Sequence, residues 1–553
     1  MKYDLIAQIL SKLEATTKRL EMTSILTEFL KTVKPDELDK VILLLRGTVF
    51  PEYREDVIGI ADKLMIKILA RASGRSEDEV VSEWKKIGDL GKVSEEFMIK
   101  RKQITLTNET LSVNKVFSNL LEVTRMEGKG SVDRKAALIS ELLTNANPTE
   151  ARYITRTILG TLRVGMGAGT LRDAIAQAYN CDKELLEKAY NLTADYANVA
   201  SIAAREGNEG LKKIGLQIGS PAKSMLYQKE TNINDAFERV GKPAAIEYKY
   251  DGLRLQVHKK DGEVKLFTRN LDDVTKMFPE VISAVKENVK GSCIIEGEGV
   301  GYNPTKKSFK PFQEISKRIK RKYEVEQLAN ETPVVLFLFD LFDYEGTNYL
   351  DKPFKERNAK LKTIIKQVPW KIELAKQIIS SDEKEVDAFY KEALSKDQEG
   401  IMMKNLDAPY KPGSRVGYGI KIKPIKETLD LAISGAEWGT GKRSKWLSSF
   451  TLACKKDDDY LDIGKMGTGL NEKEFAEVTE KLKPLITSED GKEVRVKPII
   501  LVEIGYVDIQ KSPTYGSGYA LRFPRLIRFR DDKDEPDDLE KVESIYNEQG
   551  KRK

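Results

Sequence analysis

The sequence predicts a multidomain protein with an all-α N-terminal part, an α+β middle and a small β-barrel at its C-terminal end. Three observations carry this reading. Up to about residue 215, apolar residues recur at helical spacing. From about residue 220 the pattern changes to short alternating or wholly apolar runs rich in Val, Ile, Phe and Tyr, broken by Asp-Gly and Pro-Gly. Beyond Pro424 three more strand-like runs stand apart from the rest. At about 150 residues per domain, the 553 residues allow three or four domains.

Each part has its own signals. Leu5, Ile6, Ile9, Leu10 and Leu13 form one helical stripe, and Ile25, Leu26, Phe29 and Leu30 form a second, which Pro35 ends. The glycine-rich stretch 160–170 with Arg163 suits either a phosphate contact through exposed backbone N–H groups or a tight helix-to-helix turn. Residues 244–250, 253–258, 264–268 and the apolar run 334–339 read as strands, as do 429–435, 449–454 and 499–506. Leu539, Val542, Ile545 and Tyr546 mark a terminal helix. The expected domains are 1–218, 219–426 and 427–553.

Composition narrows the chemistry. With 40% apolar and 33% charged residues the chain is neither disordered nor fibrous. No apolar run approaches the roughly 20 residues of a membrane helix, and the N-terminus lacks a secretory apolar region, so no membrane association and a cytoplasmic location are expected. A net charge of +6 is too small to make the whole surface attract nucleic acid, so such binding would need local basic patches. Three distant cysteines and one histidine rule out a four-cysteine zinc site and leave little room for Ser-His-Asp chemistry. Lys, Arg and carboxylates must do the work. His258 alternates with Arg254 and Gln256 and is expected at the surface.

The most informative segment is Glu247-Tyr-Lys-Tyr-Asp-Gly-Leu-Arg254. Asp251-Gly252 between two strand-like runs predicts a hairpin, and alternation puts Glu247, Lys249 and Asp251 on one face. By itself Lys-x-Asp-Gly fits a solvated surface lysine. It is followed, in order, by Thr268-Arg269-Asn270, Glu296-Gly-Glu298-Gly-Val300, Phe337-Leu-Phe339-Asp340, Glu399-Gly-Ile-Met-Met-Lys404, Gly419-Ile-Lys421-Ile-Lys423-Pro424, and Arg522-Phe-Pro-Arg525 running into Arg530 and Lys533.

Taken together, these motifs resemble the series of the covalent nucleotidyltransferases, specifically the ATP-dependent DNA ligases of the archaeal and eukaryotic replicative type. The resemblance spans nearly the whole chain, with Gly219-Ser-Pro221, Pro311-Phe-Gln313, Pro409-Tyr410 and Arg415 around the core motifs and Leu162-Arg163-Val-Gly165 in the helical part. It implies a helical DNA-binding domain, an adenylation domain and an OB-fold domain. It also implies an enzyme that seals nicks between 5′-phosphate and 3′-hydroxyl through lysyl-AMP and adenylated DNA, in replication, repair and recombination and hence cell division. The implied cofactors are ATP and Mg²⁺. The implied partner is nicked duplex DNA, with the sliding clamp a further candidate and a monomer expected.

The resemblance also implies roles residue by residue. Lys249 is the nucleophile, Glu247 the adenine-contacting acid, Arg254 and Glu298 the ribose contacts, and Phe339 the ring that stacks on adenine. Arg269 touches phosphate at the nick. Glu298 and Glu399 hold Mg²⁺, whose preference is for oxygen ligands. Lys421 and Lys423 hold the α-phosphate, Arg415 belongs to the nucleotide-binding set, and Arg530 and Lys533 orient pyrophosphate. A lysine attacks phosphorus only when unprotonated, so nearby positive charge from Lys421, Lys423, Arg254 or metal must favour its neutral form.

Two positions depart from the family pattern. Gly419 stands where the family commonly has tryptophan, and Gly299 where a larger apolar residue is usual, so the inward-facing acid is Glu298 or Glu296. Residues 306–322 hold eight Lys or Arg against one acid, a candidate stripe for duplex phosphates in which reversing Arg318 and Lys320 would weaken binding. Residues 439–443 imitate a phosphate loop with the wrong spacing, and residues 103–106 begin like a clamp-binding peptide but lack its aromatic pair. Two other readings compete. One is an RNA ligase or capping-type nucleotidyltransferase, disfavoured by the long helical N-terminal part. The other is a non-catalytic nucleic-acid-binding scaffold, which has no need of Lys249, Glu399, Lys421 and Lys423 together. An NAD-dependent ligase would need four zinc-binding cysteines.

Overall fold

The structure, a computed structural model, describes residues 1–54, 58–100, 109–319, 325–424, 428–439 and 445–551. Residues 103–106, residues 440–443, and Lys320 and Lys322 of the basic stripe lie outside them. The chain divides into two compact units, residues 1–392 with 401–421 and residues 393–400 with 422–553.

The first unit begins with helices from Tyr3–Glu14 to Tyr196–Lys213. The first buries Ile6, Ile9, Leu10 and Leu13, and the second, Arg19–Lys31, buries Leu26, Phe29 and Leu30. Helix Pro148–Ile158 starts with proline in its first turn and a reciprocal Asn147–Glu150 capping box. Its Arg156 is buried and bonds Glu14 and Asp89 at 2.7 Å each. The glycine-rich stretch is the turn that follows. Gly160 and Gly165 take left-handed backbone angles, and Arg163 donates to the Gly88 carbonyl at 3.3 Å.

The rest of this unit is two sheets built from twelve strands: β1 (Leu226–Glu230), β2 (Ala244–Lys249), β3 (Leu253–Lys260), β4 (Glu263–Thr268), β5 (Cys293–Asn303), β6 (Ser308–Phe309), β7 (Val334–Tyr344), β8 (Thr347–Asn348), β9 (Ile372–Leu374), β10 (Gln377–Ser380), β11 (Gly400–Asn405) and β12 (Arg415–Ile422). One sheet has the order β1-β12-β11-β2-β10. The other runs β4-β3-β5-β7-β8, with β6 on β5 and β9 parallel to β7. Leu192 of the helical region packs with Met225, Ile294, Phe342 and Tyr410, and Lys223 N donates to the Asn191 carbonyl at 2.7 Å. This small apolar cluster joins the helical region, which has its own core, to the sheets.

Three expectations from sequence are corrected here. First, Asp251-Gly252 is not a hairpin: β2 and β3 belong to different sheets. The link crosses between them because Tyr250 stacks on Phe337 of β7 at 4.2 Å, while Gly252 presses on β5. A β-carbon at Gly252 would sit 2.6 Å from the Gly299 carbonyl oxygen and 2.8 Å from Glu298 Cγ. Glycine is needed there for close approach rather than for a turn. Second, His258 is buried. Gly219 N donates to its Nδ1 at 2.9 Å, its Nε2 meets Gln256 Oε1 at 2.9 Å, and burial drives the imidazole pKa down to about 3. Third, Arg318 is not part of an exposed stripe. It is 2% exposed, pairs with both oxygens of Glu280 at 2.5 and 2.9 Å, donates to the Met277 and Thr332 carbonyls, and lies over the Phe278 ring.

The second unit is β-rich and OB-like. Strand Thr428–Trp438 pairs Leu447–Lys456 on one side. On its other side it pairs Leu501–Gly505 and then Glu493–Val496, with breaks in register that bend it. Phe450, Phe475 and Leu482 fill the core, and helix Leu539–Lys551 adds Val542 and Ile545.

Arg318→Ala should lower stability by about 3 kcal/mol, because Glu280 loses the partner of a largely buried pair. Thermal unfolding checks this. An unchanged midpoint together with weakened DNA binding would restore the exposed-stripe reading.

Candidate functional site

The site forms where the two sheets meet, and burial along the strands picks it out. In β7 every residue from Val334 to Asp343 is buried except Phe339. In β5 the run from Cys293 to Gly301 is buried except Glu298. A side chain left half-open in the middle of a core strand faces a space the protein itself does not fill. Lys249, at the end of β2, and Lys421, on β12, are half-buried in the same way.

Two ion pairs frame that space. Arg254 on β3 grips Glu296 on β5 through Nε and Nη2, each at 2.8 Å. Glu296 is 0% exposed and also accepts from Tyr410 at 3.1 Å and Ser224 at 3.1 Å. Arg254 continues to the Met225 carbonyl at 3.3 Å and Tyr410 at 3.2 Å, so the pair ties β3 and β5 to the segment just before β1 and to the link between β11 and β12. Burial opposes the Arg254 charge, but Glu296 holds its pKa well above the ordinary range. Burial and then Glu296 push the Tyr410 phenol well up, so it stays a donor.

The second pair lies within the other sheet. Lys404 of β11 meets Glu247 of β2 at 2.7 Å, and the other Glu247 oxygen accepts from Gln377 of β10 at 2.8 Å. Burial would lower the Lys404 ammonium, but Glu247, with Tyr227 and Asp340, raises its pKa above the usual lysine value. Lys404 Nζ lies 4.7 Å from the Phe339 ring centroid and the Arg254 guanidinium 5.7 Å, so two cations flank that ring. The ring therefore has the setting of a stacking surface for a flat, electron-rich group.

The residues singled out from sequence fall into distinct places. Lys249, Arg254, Glu298 and Phe339 gather around the Tyr250–Gly252 crossing. Glu298 faces Arg254 across the β3–β5 ladder, yet Arg254 reaches diagonally to Glu296 instead. That settles which acid points into the core: Glu296 is the structural partner and Glu298 the half-open one. Glu247 turns both oxygens to Lys404 and Gln377. Arg269 is exposed in the Thr268–Asp272 turn, and Arg415 is exposed at the start of β12. In the second unit Glu399 and Lys423 form an ion pair. Arg530 there is held by Asp430 at 2.6 Å and Asp532 at 2.8 Å, and Lys533 by Asp430 at 2.6 Å.

The comparisons with known proteins fit this geometry. Residues 224–423 match the family described as ATP dependent DNA ligase domain, residues 2–176 the DNA ligase N terminus, and residues 443–533 the ATP dependent DNA ligase C terminal region. A DNA ligase of Nanoarchaeum equitans is 45% identical over 99% of this chain and 99% of its own length. The chain belongs to the ATP-dependent DNA ligases of archaeal type. A DNA ligase of Thermococcus fumicolans is 40% identical over 99% of this ligase and 98% of its own length. The solved structure named Pmar-Lig_PreS3 shares the fold at a TM-score of 0.56, with 19% identity over 95% of this ligase and 99% of that chain. The ligase uses ATP to seal nicks in DNA. Among its described residues no helix is long and apolar enough to cross a membrane.

Sequence reasoning weighed Glu296 only as the alternative to Glu298 and gave no separate role to Tyr410 or Lys404. A lysine directly after the apolar run Ile401-Met-Met403 is the available signal, since a charge in a core strand must have a partner. Replacing Glu247 by Gln or Lys404 by Met should each cost about 3 kcal/mol, and the double variant should cost clearly less than the two together. Thermal midpoints of the four proteins check this. Additive losses would mean the two groups do not pair.

Proposed function

We propose that Lys249 is the nucleophile of the ligase and that the seam around Phe339 holds the adenosine of ATP. The observation that carries this is the half-open pair Phe339 and Glu298, set beside the crossing that follows Lys249 in two otherwise buried strands. The Lys249 Nζ bonds to the α-phosphorus and loses a proton. The bond from that phosphorus to the bridging oxygen breaks, and pyrophosphate leaves with the electron pair. A nick 5′-phosphate oxygen then displaces the lysine, and the 3′-hydroxyl displaces AMP to form the phosphodiester. The rigid cation-flanked ring of Phe339 fixes the base, so the phosphate chain meets the amine at one defined place.

The other roles follow from position. Arg254 and Glu298 contact the ribose. Glu247 acts through Lys404, which it holds beside the adenine ring's expected place, as well as toward the base. Lys421 and Lys423 neutralise the α-phosphate, with Arg415 on the same strand as Lys421. Arg530 and Lys533 exchange Asp430 for pyrophosphate, and exposed Arg269 binds phosphate at the nick. Glu298 and Glu399 supply the hard oxygen donors for Mg²⁺. Mg²⁺ is usually bound by one or two carboxylates together with substrate phosphates. When bound, it would offset phosphate charge. We further propose domain boundaries at 218, between the last N-terminal helix and β1, and at 426, a cytoplasmic monomer, and a sliding clamp as partner.

The test pairs Lys249→Ala with wild type. Wild type incubated with Mg²⁺ and ATP labelled at the α-phosphate should retain label after denaturation, and the variant should retain none. The variant should nevertheless seal a nick supplied with its 5′-phosphate already adenylated, because that step no longer needs the amine. Label on the variant would remove Lys249 from the role.

A further inference from the structure

Position 419 lacks the tryptophan common in the family, and the structure shows what stands there instead. A β-carbon on Gly419 would lie 2.8 Å from Tyr227 Cδ1 and Cε1 and 2.9 Å from its Cζ. Real β-carbons do not come that close, so the Tyr227 ring rests on the Gly419 backbone and fills the volume a side chain would take. β1 and β12, which carry the two residues, are neighbours in the sheet that also bears Lys249 and Lys404.

The ring is also placed among the groups around Phe339. Tyr227 interacts electrostatically with Lys404, Asp340, Arg254 and Glu247, two of which are the cations flanking Phe339. Like Val416 and Tyr418 it packs against the apolar cluster that holds Met225 and Tyr410, and the residue itself stays half-buried. An aromatic ring that is braced behind by backbone and only half-buried is a ready contact surface.

We propose that Tyr227 is an aromatic wall of the nucleotide site, supplied from β1 in place of a large side chain at position 419, and that it sets the affinity for the adenosine of ATP. This rests on reading the Phe339 seam as that site. The ring and Gly419 form a matched pair, large against small, so changing either alone disturbs the site and exchanging sizes restores it.

The test uses the full-length ligase and the attachment of α-labelled ATP, read as KM for ATP and rate at saturating ATP. Tyr227→Phe should stay within about twofold of wild type. Tyr227→Ala should raise the KM about tenfold while the saturating rate and the thermal midpoint change little, the signature of lost binding surface. Gly419→Trp alone should lose labelling through collision with the ring, and Tyr227→Ala combined with Gly419→Trp should regain it. An unchanged KM in Tyr227→Ala overturns the inference, as does a joint fall of rate and midpoint at unchanged KM or a double variant as inactive as Gly419→Trp. Lys249→Ala serves as control. Its label-free result leaves the site reading standing in each of these cases, whereas label on it overturns that reading itself.

Discussion

The Arg254–Glu296 pair is the interaction on which the site depends. Glu296 is a carboxylate with no solvent exposure, and a buried charge persists only if it is paired and hydrogen-bonded on every side. Arg254 meets it with two parallel bonds, while Tyr410 and Ser224 satisfy what remains. Because Arg254 also bonds the Met225 carbonyl, the pair fixes β3 and β5 against the chain that leads into β1. Breaking it would release the distance between the sheets, and with it the setting of Phe339.

That constraint sorts the acids and bases of the site. Buried charges that pair with one another or with Arg254, namely Glu247 with Lys404 and Glu296, build walls. Glu298 and Lys249 stand on the same strands at half-open places where substrate can compete for them. The arrangement is economical in geometry: Lys249 and Glu298, the residues proposed to carry chemistry, are each two positions along the strand from Glu247 and Glu296, which carry structure. Gly252 makes this possible, since only a residue without a β-carbon lets the chain cross from one sheet to the other against Gly299.

Much of this was legible in the sequence. The runs at 244–250, 253–258 and 264–268 are strands within two residues of their observed ends, because alternation and Asp-Gly punctuation are local signals. The order of motifs around Lys249 pointed to the ligase family. What failed depended on partners far along the chain. His258 and Arg318 look like surface residues by polarity, yet one finds Gly219 and Gln256 and the other Glu280, Met277 and Thr332. Asp251-Gly252 looks like a hairpin because local sequence does not say which sheet each strand joins. Without the family resemblance Phe339 in an apolar run reads as core, and the burial pattern of β7 sets it apart from its neighbours.

The central claim is that Lys249, and no other lysine of the chain, carries the adenylate. The most direct measurement is to digest the isolated protein–AMP adduct and locate the added nucleotide by mass spectrometry. The mass should fall on the peptide containing Lys249. AMP on Lys404, Lys421 or Lys423 would contradict the assignment and require a different geometry of attack.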